Sequence, residues 1–168
     1  MNATPSPRRL WLVRHAEAQL DTGHASDHDR ALTRRGMAEA NRIAERCVEL
    51  GWLPQLLLAS SALRTRQTAE ALVRQFGLSA GKLRILESLY LADPAEIRRA
   101  AGEAGPRIDG LMIVAHNPGI TSCARELAPA ANLGAFDTAG IACLELAPGD
   151  WAALQPGAAL SASYEAPR

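Results

Sequence analysis

Short apolar runs alternate with longer amphipathic segments along this chain, and that alternation limits the possible folds more than any other feature. Leu10–Val13, Leu56–Ala59, Leu83–Leu86 and Leu111–Ala115 are runs of strand length. Between them lie segments with helical periodicity. Thr33 is placed to cap a helix to about Leu50, with Met37, Ala40, Ile43, Ala44, Cys47 and Val48 along one face and Gly51 ending it. A second helix runs from about Ala62 to Phe76. Asp93-Pro94-Ala95-Glu96 supplies a cap, a first-turn proline and an acid for a third, to about Gly102. A fourth spans Pro118–Leu127. Ile141–Leu146 and Trp151–Leu154 read as a closing antiparallel pair around Pro148-Gly149-Asp150. Strands alternating with helices imply an α/β fold, a three-layer α/β/α sandwich with a mostly parallel sheet. One domain is expected over 8–156, with 1–7 and 157–168 as flexible tails.

A fold of this kind binds ligands outside the carboxyl ends of its strands, so the residues that follow strands are the ones to inspect. Three such segments carry chemistry: Val13-Arg14-His15-Ala16-Glu17, Ser60-Ser61-Ala62-Leu63-Arg64 and Ala115-His116-Asn117-Pro118-Gly119. Neighbours within a strand face opposite ways, so Arg14 and His15 can serve one ligand only where the strand gives way to a loop. In the other two segments a capping residue (Ser60 or Ser61; Asn117) leads into a helix start, where free amides and the dipole favour an anion. A lone histidine after a strand is ordinarily a structural hydrogen-bonder, and a lone arginine on a helix is ordinarily solvated. Two of each, gathered at three strand ends, make a dianion site.

Composition narrows the ligand. Eighteen basic residues balance eighteen acidic ones, without the excess of clustered cations that nucleic-acid backbones require. Every basic residue except Lys82 is an arginine, whose planar fork suits phosphate, although coding bias alone can produce such a preference. Cys47, Cys123 and Cys143 are distant from one another and odd in number. They read as buried free thiols in a reducing compartment. With no signal peptide or membrane span legible either, a cytoplasmic location is expected. Asp21, His24, Asp27, His28 and Asp29 could suggest a metal, but the polar, turn-like composition favours a solvated loop bordering the pocket. Neither metal nor cofactor is expected.

Leu12-Val13-Arg14-His15-Ala16-Glu17 resembles the Arg-His-Gly/Ala signature of the histidine phosphatase (phosphoglycerate mutase-like) superfamily. Arg30-Ala31-Leu32-Thr33-x-x-Gly36, Ser60-Ser61-x-x-Arg64-x-x-Gln67-Thr68, Ala115-His116-Asn117-Pro118-Gly119 and Phe136-x-Thr138-Ala139-Gly140-Ile141-Ala142 resemble its SixA branch of phosphohistidine phosphatases. The resemblance runs from about Leu10 to Leu146. It implies a phosphoglycerate mutase-like fold, with His15 attacking phosphorus, Arg14 and Arg64 holding equatorial oxygens and His116 donating to them. Many relatives also use a carboxylic acid to protonate the leaving oxygen. Glu87 by position, or Glu17, would fill that role here, though surface and loop-orienting roles fit them equally. Ser60, Asn117 and Arg30 are further candidates for contact with phosphate or substrate.

The expected function is therefore a metal-independent phosphohistidine phosphatase acting through phospho-His15 on a protein substrate, such as a phosphorelay or phosphotransferase-system domain. One alternative is a phosphatase of small phosphomonoesters with the same site. Another is a binding module without turnover, which would need no nucleophile.

Overall fold

The computed structural model describes residues 4–168; the first three residues of the amino-terminal segment expected to be flexible lie outside the described residues. The chain forms strands β1 (Arg8–Arg14), β2 (Leu56–Ser60), β3 (Leu83–Leu86), β4 (Gly110–Ala115), β5 (Ile141–Leu146) and β6 (Ala159–Glu165). Its helices are α1 (Arg34–Leu50), α2 (Leu63–Phe76), α3 (Pro94–Ala101) and α4 (Gly119–Leu127), with short 3-10 turns between elements. The strands make one sheet in the order β3-β2-β4-β1-β5-β6. The first four positions pair in parallel, whereas β5 runs antiparallel to β1 and β6 antiparallel to β5.

The central strands are buried on both faces, which is why they read as continuous apolar runs rather than alternating ones. Leu10 and Leu12 of β1 join Leu56, Leu58, Leu111 and Ile113 on one face, against Ile97 of α3 and Ile120, Cys123 and Leu127 of α4. Trp11 and Val13 join Leu57, Met112 and Val114 on the other, against Ala40, Ile43 and Cys47 of α1 and Leu72 of α2. The three expected layers are present, and all three cysteines are buried and free. Among the described residues, no helix is long and apolar enough to cross a membrane.

The helix signals that rest on local chemistry hold. Thr33 accepts from the Gly36 amide, Gly51 closes α1 in the left-handed region at φ 69°, and Asp93 and Glu96 form a reciprocal capping box. Val48, expected on the buried face of α1, is 42 % exposed. Neither Ser60, Ser61 nor Asn117 caps a helix. Ala62 and Pro118 hold those positions, without a side-chain cap bond. Asn117 instead accepts from Thr121 Oγ1 at 2.6 Å and donates to the Phe136 carbonyl at 3.2 Å.

The carboxyl-terminal segment differs most from expectation. Trp151–Ala153 is a 3-10 turn and not a strand; Trp151 is buried and donates from Nε1 to the Ile108 carbonyl. The partner of β5 is β6, within the segment expected to be a flexible tail. The ordered sheet therefore reaches Glu165, beyond the expected boundary at 156. Ala-Leu-Ser-Ala-Ser-Tyr-Glu has no apolar run to announce a strand, and pairing with β5 overrides its weak local preference.

Candidate active site

Three parallel strands end side by side, and the chemically capable residues emerge from those ends. The turn from β1 into the next loop is fixed by backbone bonds: His15 N–H donates to Ala115 O of β4, Arg14 N–H to Gly140 O, and Ala139 N–H to His15 O. The Ala16 amide donates to Thr68 Oγ1 of α2. Gly36 completes this support, because a Cβ there would run into the Glu17 carbonyl oxygen. Gly119 does the same on the other side, where a Cβ would strike Ala92 O. The glycines in both motifs thus serve close packing around the site.

Arg14, His15, Arg64 and His116 line a common cavity of about 480 Å³, together with Glu17, Arg30 and Asn117. The His15 and His116 rings meet edge to face, with centroids 5.3 Å apart. His15 Nδ1 lies 2.7 Å from the Ala16 carbonyl. A carbonyl can only accept, so Nδ1 carries the proton and Nε2 keeps its lone pair. Burial, then the charges of Arg64, Arg14 and Arg30, lower the His15 pKa to about 4, against the pull of the Ala16 bond. The imidazole is therefore neutral at pH 7. Burial also lowers His116, to about 3, with His15 and Arg64 adding to the effect. Arg14 donates from Nη1 to Phe136 O at 2.9 Å. Among the described residues, the Nε groups of Arg14 and Arg64 are buried donors without a partner.

Asp27 organises the opposite side. Its Oδ2 accepts from Arg64 Nη2 at 3.0 Å and from the Tyr90 hydroxyl at 2.6 Å. Its Oδ1 accepts from Arg30 Nε and Nη2, and its backbone oxygen accepts from Arg64 Nη1. The Tyr90 hydroxyl and the two guanidinium groups hold the Asp27 carboxyl far below the usual carboxylate range. Tyr90 also stands edge-on to His116 at 5.6 Å.

The site residues expected from the sequence separate accordingly. Arg14, His15, Arg64 and His116 converge, and Arg30, Asn117 and Glu17 join them. Glu17 is engaged by Thr33 Oγ1 at 2.8 Å and by Arg35 at 3.6 Å. Glu87 is exposed at the start of the 3-10 turn Glu87–Leu89 and does not line the cavity, which argues against it as general acid. Ser60 is fully buried and also lies outside the cavity wall; its hydroxyl sits 2.7 Å from His116 Nε2. Its hydroxyl therefore meets the His116 ring from behind and does not face the cavity. Asp27, Tyr90, Thr138 and Leu91 belong to the site without having been assigned a role from sequence. The Asp27-x-x-Arg30 spacing, which permits an ion pair, was the available signal. No group of three or more His, Cys, Asp or Glu side chains among the described residues is placed to hold a metal, the Asp21–Asp29 loop included.

The profile of the histidine phosphatase superfamily (branch 1) matches residues 10–91. An uncharacterised chloroplastic protein of Arabidopsis thaliana is 34 % identical over 136 residues, 76 % of this chain and 62 % of that protein, so the chain spans less than two thirds of that relative. Two solved structures provisionally named phosphohistidine phosphatase SixA are each 30 % identical. The one from Agrobacterium tumefaciens superposes at a TM-score of 0.74 over 84 % of this chain and 93 % of its own. That from Nakamurella multipartitia does so at 0.79 over 98 % and 99 %. A mycobacterial glucosyl-3-phosphoglycerate phosphatase shares the fold at 21 % identity and a TM-score of 0.63, over 82 % of this chain and 90 % of its own. With the two solved structures 30 % identical and aligned along nearly their whole length, the chain belongs to the histidine phosphatase superfamily.

Proposed function

We propose that the protein is a phosphohistidine phosphatase that uses His15 as its nucleophile and needs no metal. The reading is carried by the state of His15: a neutral imidazole with Nε2 free, in a cavity that also holds Arg14, Arg30, Arg64 and His116. Phosphoryl transfer demands positioning and neutralisation of charge more than covalent machinery. The arginines supply the positive charge that a metal would otherwise bring. Nε2 attacks phosphorus in line while the bond from phosphorus to the substrate imidazole breaks, and the departing nitrogen takes a proton from water. A second water then attacks phospho-His15, releasing inorganic phosphate and restoring the neutral imidazole.

The carboxyl groups support this substrate class over alkyl phosphates. An alkoxide leaves poorly without an acid, whereas an imidazole is readily protonated near neutral pH. Asp27 is ionised and committed to its cations, Glu17 is held by two donors, and Glu87 lies outside the cavity. A phosphohistidine on a protein, in a phosphorelay or phosphotransferase domain, fits these constraints. Purified protein in EDTA should release phosphate from a phosphohistidine-bearing protein, and His15→Ala should reduce this by at least about 10⁴-fold, as loss of a nucleophile does. Turnover persisting in that variant would sink the mechanism.

Glu17 sustains a second reading, hydrolysis of a small phosphomonoester, because it is the one glutamate among the residues that line the cavity. A substrate panel separates the two. Strong monoester turnover that is lost in Glu17→Gln favours the second.

A further inference from the structure

The contacts around His116 contain one hydrogen too many. Ser60, the last residue of β2, is fully buried, and its Oγ lies 2.7 Å from His116 Nε2. The same oxygen accepts a long bond from the Ala62 amide at 3.4 Å. Across the ring, His116 Nδ1 lies 3.3 Å from Arg64 Nη2, which can only donate. A neutral imidazole offers one N–H and one lone pair, so two arrangements are possible.

In the first, Arg64 donates to Nδ1 and Nε2–H donates to Ser60. The Ser60 hydroxyl hydrogen then has no acceptor, since the other atom bonded to Oγ, the Ala62 amide, is itself a donor. In the second, Ser60 O–H donates to Nε2, and Nδ1–H confronts a hydrogen of Arg64 Nη2. Each leaves a donor unsatisfied in a buried place, which is costly. An oxygen anion beside Nδ1 and Nη2 accepts from both and resolves the second arrangement only.

We infer that Ser60 is a positioning residue that turns His116 into an Nδ1–H donor when a phosphoryl group enters the cavity. This rests on the reading of His116 as a ligand of the phosphoryl oxygens. The ring does not need to be protonated for the task, in keeping with its burial and with the charged and titratable groups around it: Arg64 from α2, His15 from the β1 loop, Asp27 and His28 from the 3-10 turn Asp27–Asp29, and Tyr90 edge-on to the ring. Ser60 itself never touches the ligand. Its hydroxyl supplies the hydrogen bond that fixes the tautomer.

The tautomer can be read without any substrate turnover, so this test stands apart from the phosphohistidine assignment. Long-range proton–nitrogen correlation on histidine-labelled protein at pH 7, with orthovanadate as the probe, should show His116 protonated on Nδ1 in the wild-type complex. In Ser60→Ala the His116 signals should move toward the Nε2–H form or a mixture, and vanadate affinity should fall by about tenfold, as for loss of one bond to a charged group. Ser60→Thr, which keeps a hydroxyl, should retain the Nδ1–H form. Should Ser60→Ala not fold, the wild-type tautomer alone decides. An Nε2–H His116 in the wild-type vanadate complex overturns the inference, as does a Ser60→Ala complex with unchanged tautomer and affinity. Failure of the wild type to bind vanadate removes the anion site and the inference with it.

Discussion

The cavity has two unlike walls. One is built from the ends of β1, β2 and β4 and carries His15, Arg64 and His116, with Ser60 behind it. There Arg64, His116 and Ser60 are at most 2 % exposed, and the supporting bonds come largely from backbone. The other is the loop that carries Asp27 and Arg30, held by side-chain ion pairs, with the Asp27 side chain 37 % exposed. The strand-end wall fixes atoms to within the tolerance that chemistry needs. The loop wall sets charge, and does so through contacts that water can reach. Under the proposed function the labour divides: the reaction would depend on the first wall, and its tuning on the second.

Arg64 belongs to the first wall although its counter-ion belongs to the second. Arg64→Ala should lower kcat/KM by about 10²–10³-fold, the usual cost of losing a donor to a charge-developing oxygen. A loss under tenfold would place the transferring group elsewhere in the cavity.

The lowered pKa of His15 gives the next largest effect. An ordinary histidine, with pKa near 6.5, would leave roughly 3 % of molecules with a free nucleophile at pH 5. Here His15 titrates at about 4, so most molecules remain competent at pH 5, and the acid limb of kcat/KM should fall near 4. An acid limb near 6.5 would contradict the buried, arginine-ringed environment. Folding stability follows the same direction. As pH falls from about 6.5 toward 4 the unfolded imidazole binds a proton that the folded one rejects, so stability declines across that window and is fully present above it.

Asp27→Asn sharpens the contrast between the walls. The variant keeps the shape but removes the charge that orients Arg64 and Arg30. A drop in kcat of about tenfold is expected, with inorganic phosphate bound no more weakly, because the carboxylate competes with phosphate for the same guanidinium groups. A loss as large as that of Arg64→Ala would show that the loop wall takes part in the reaction itself.

Where the sequence was legible, the reason is that local chemistry and tertiary structure agree. Leu56–Ala59 and Leu111–Ala115 are apolar because both faces of the sheet are covered. Thr33, Gly51 and Asp93 cap helices through bonds to their own neighbours. His15 and His116 stand just beyond strand ends, where loop geometry lets adjacent residues face one ligand. Illegible features depend on distant partners. β6 exists because β5 offers it an edge, so small residues suffice. Asp27 draws together Tyr90, Arg64 and Arg30, and two of those three lie more than thirty positions away in sequence. Ser60 sits at a strand end like the others but points behind His116, which spacing does not reveal.

Glu87 provides the smallest effect and a direct check on sequence position as a guide to chemistry. Its place after β3 resembles that of the residues after β1, β2 and β4, yet β3 is an edge strand of the sheet and among the described residues pairs only with β2. The 3-10 turn that follows brings Tyr90 to Asp27 and leaves Glu87 exposed. Position relative to a strand places a residue at the active edge of the sheet; only position within the sheet's order places it in the cavity. Glu87→Gln should therefore change phosphohistidine turnover by less than about twofold, as exposed substitutions away from a site generally do. A monoester activity that fell by an order of magnitude in this variant would instead mean that the turn rearranges in the complex and carries Glu87 inward, and the division between the walls would have to include a third.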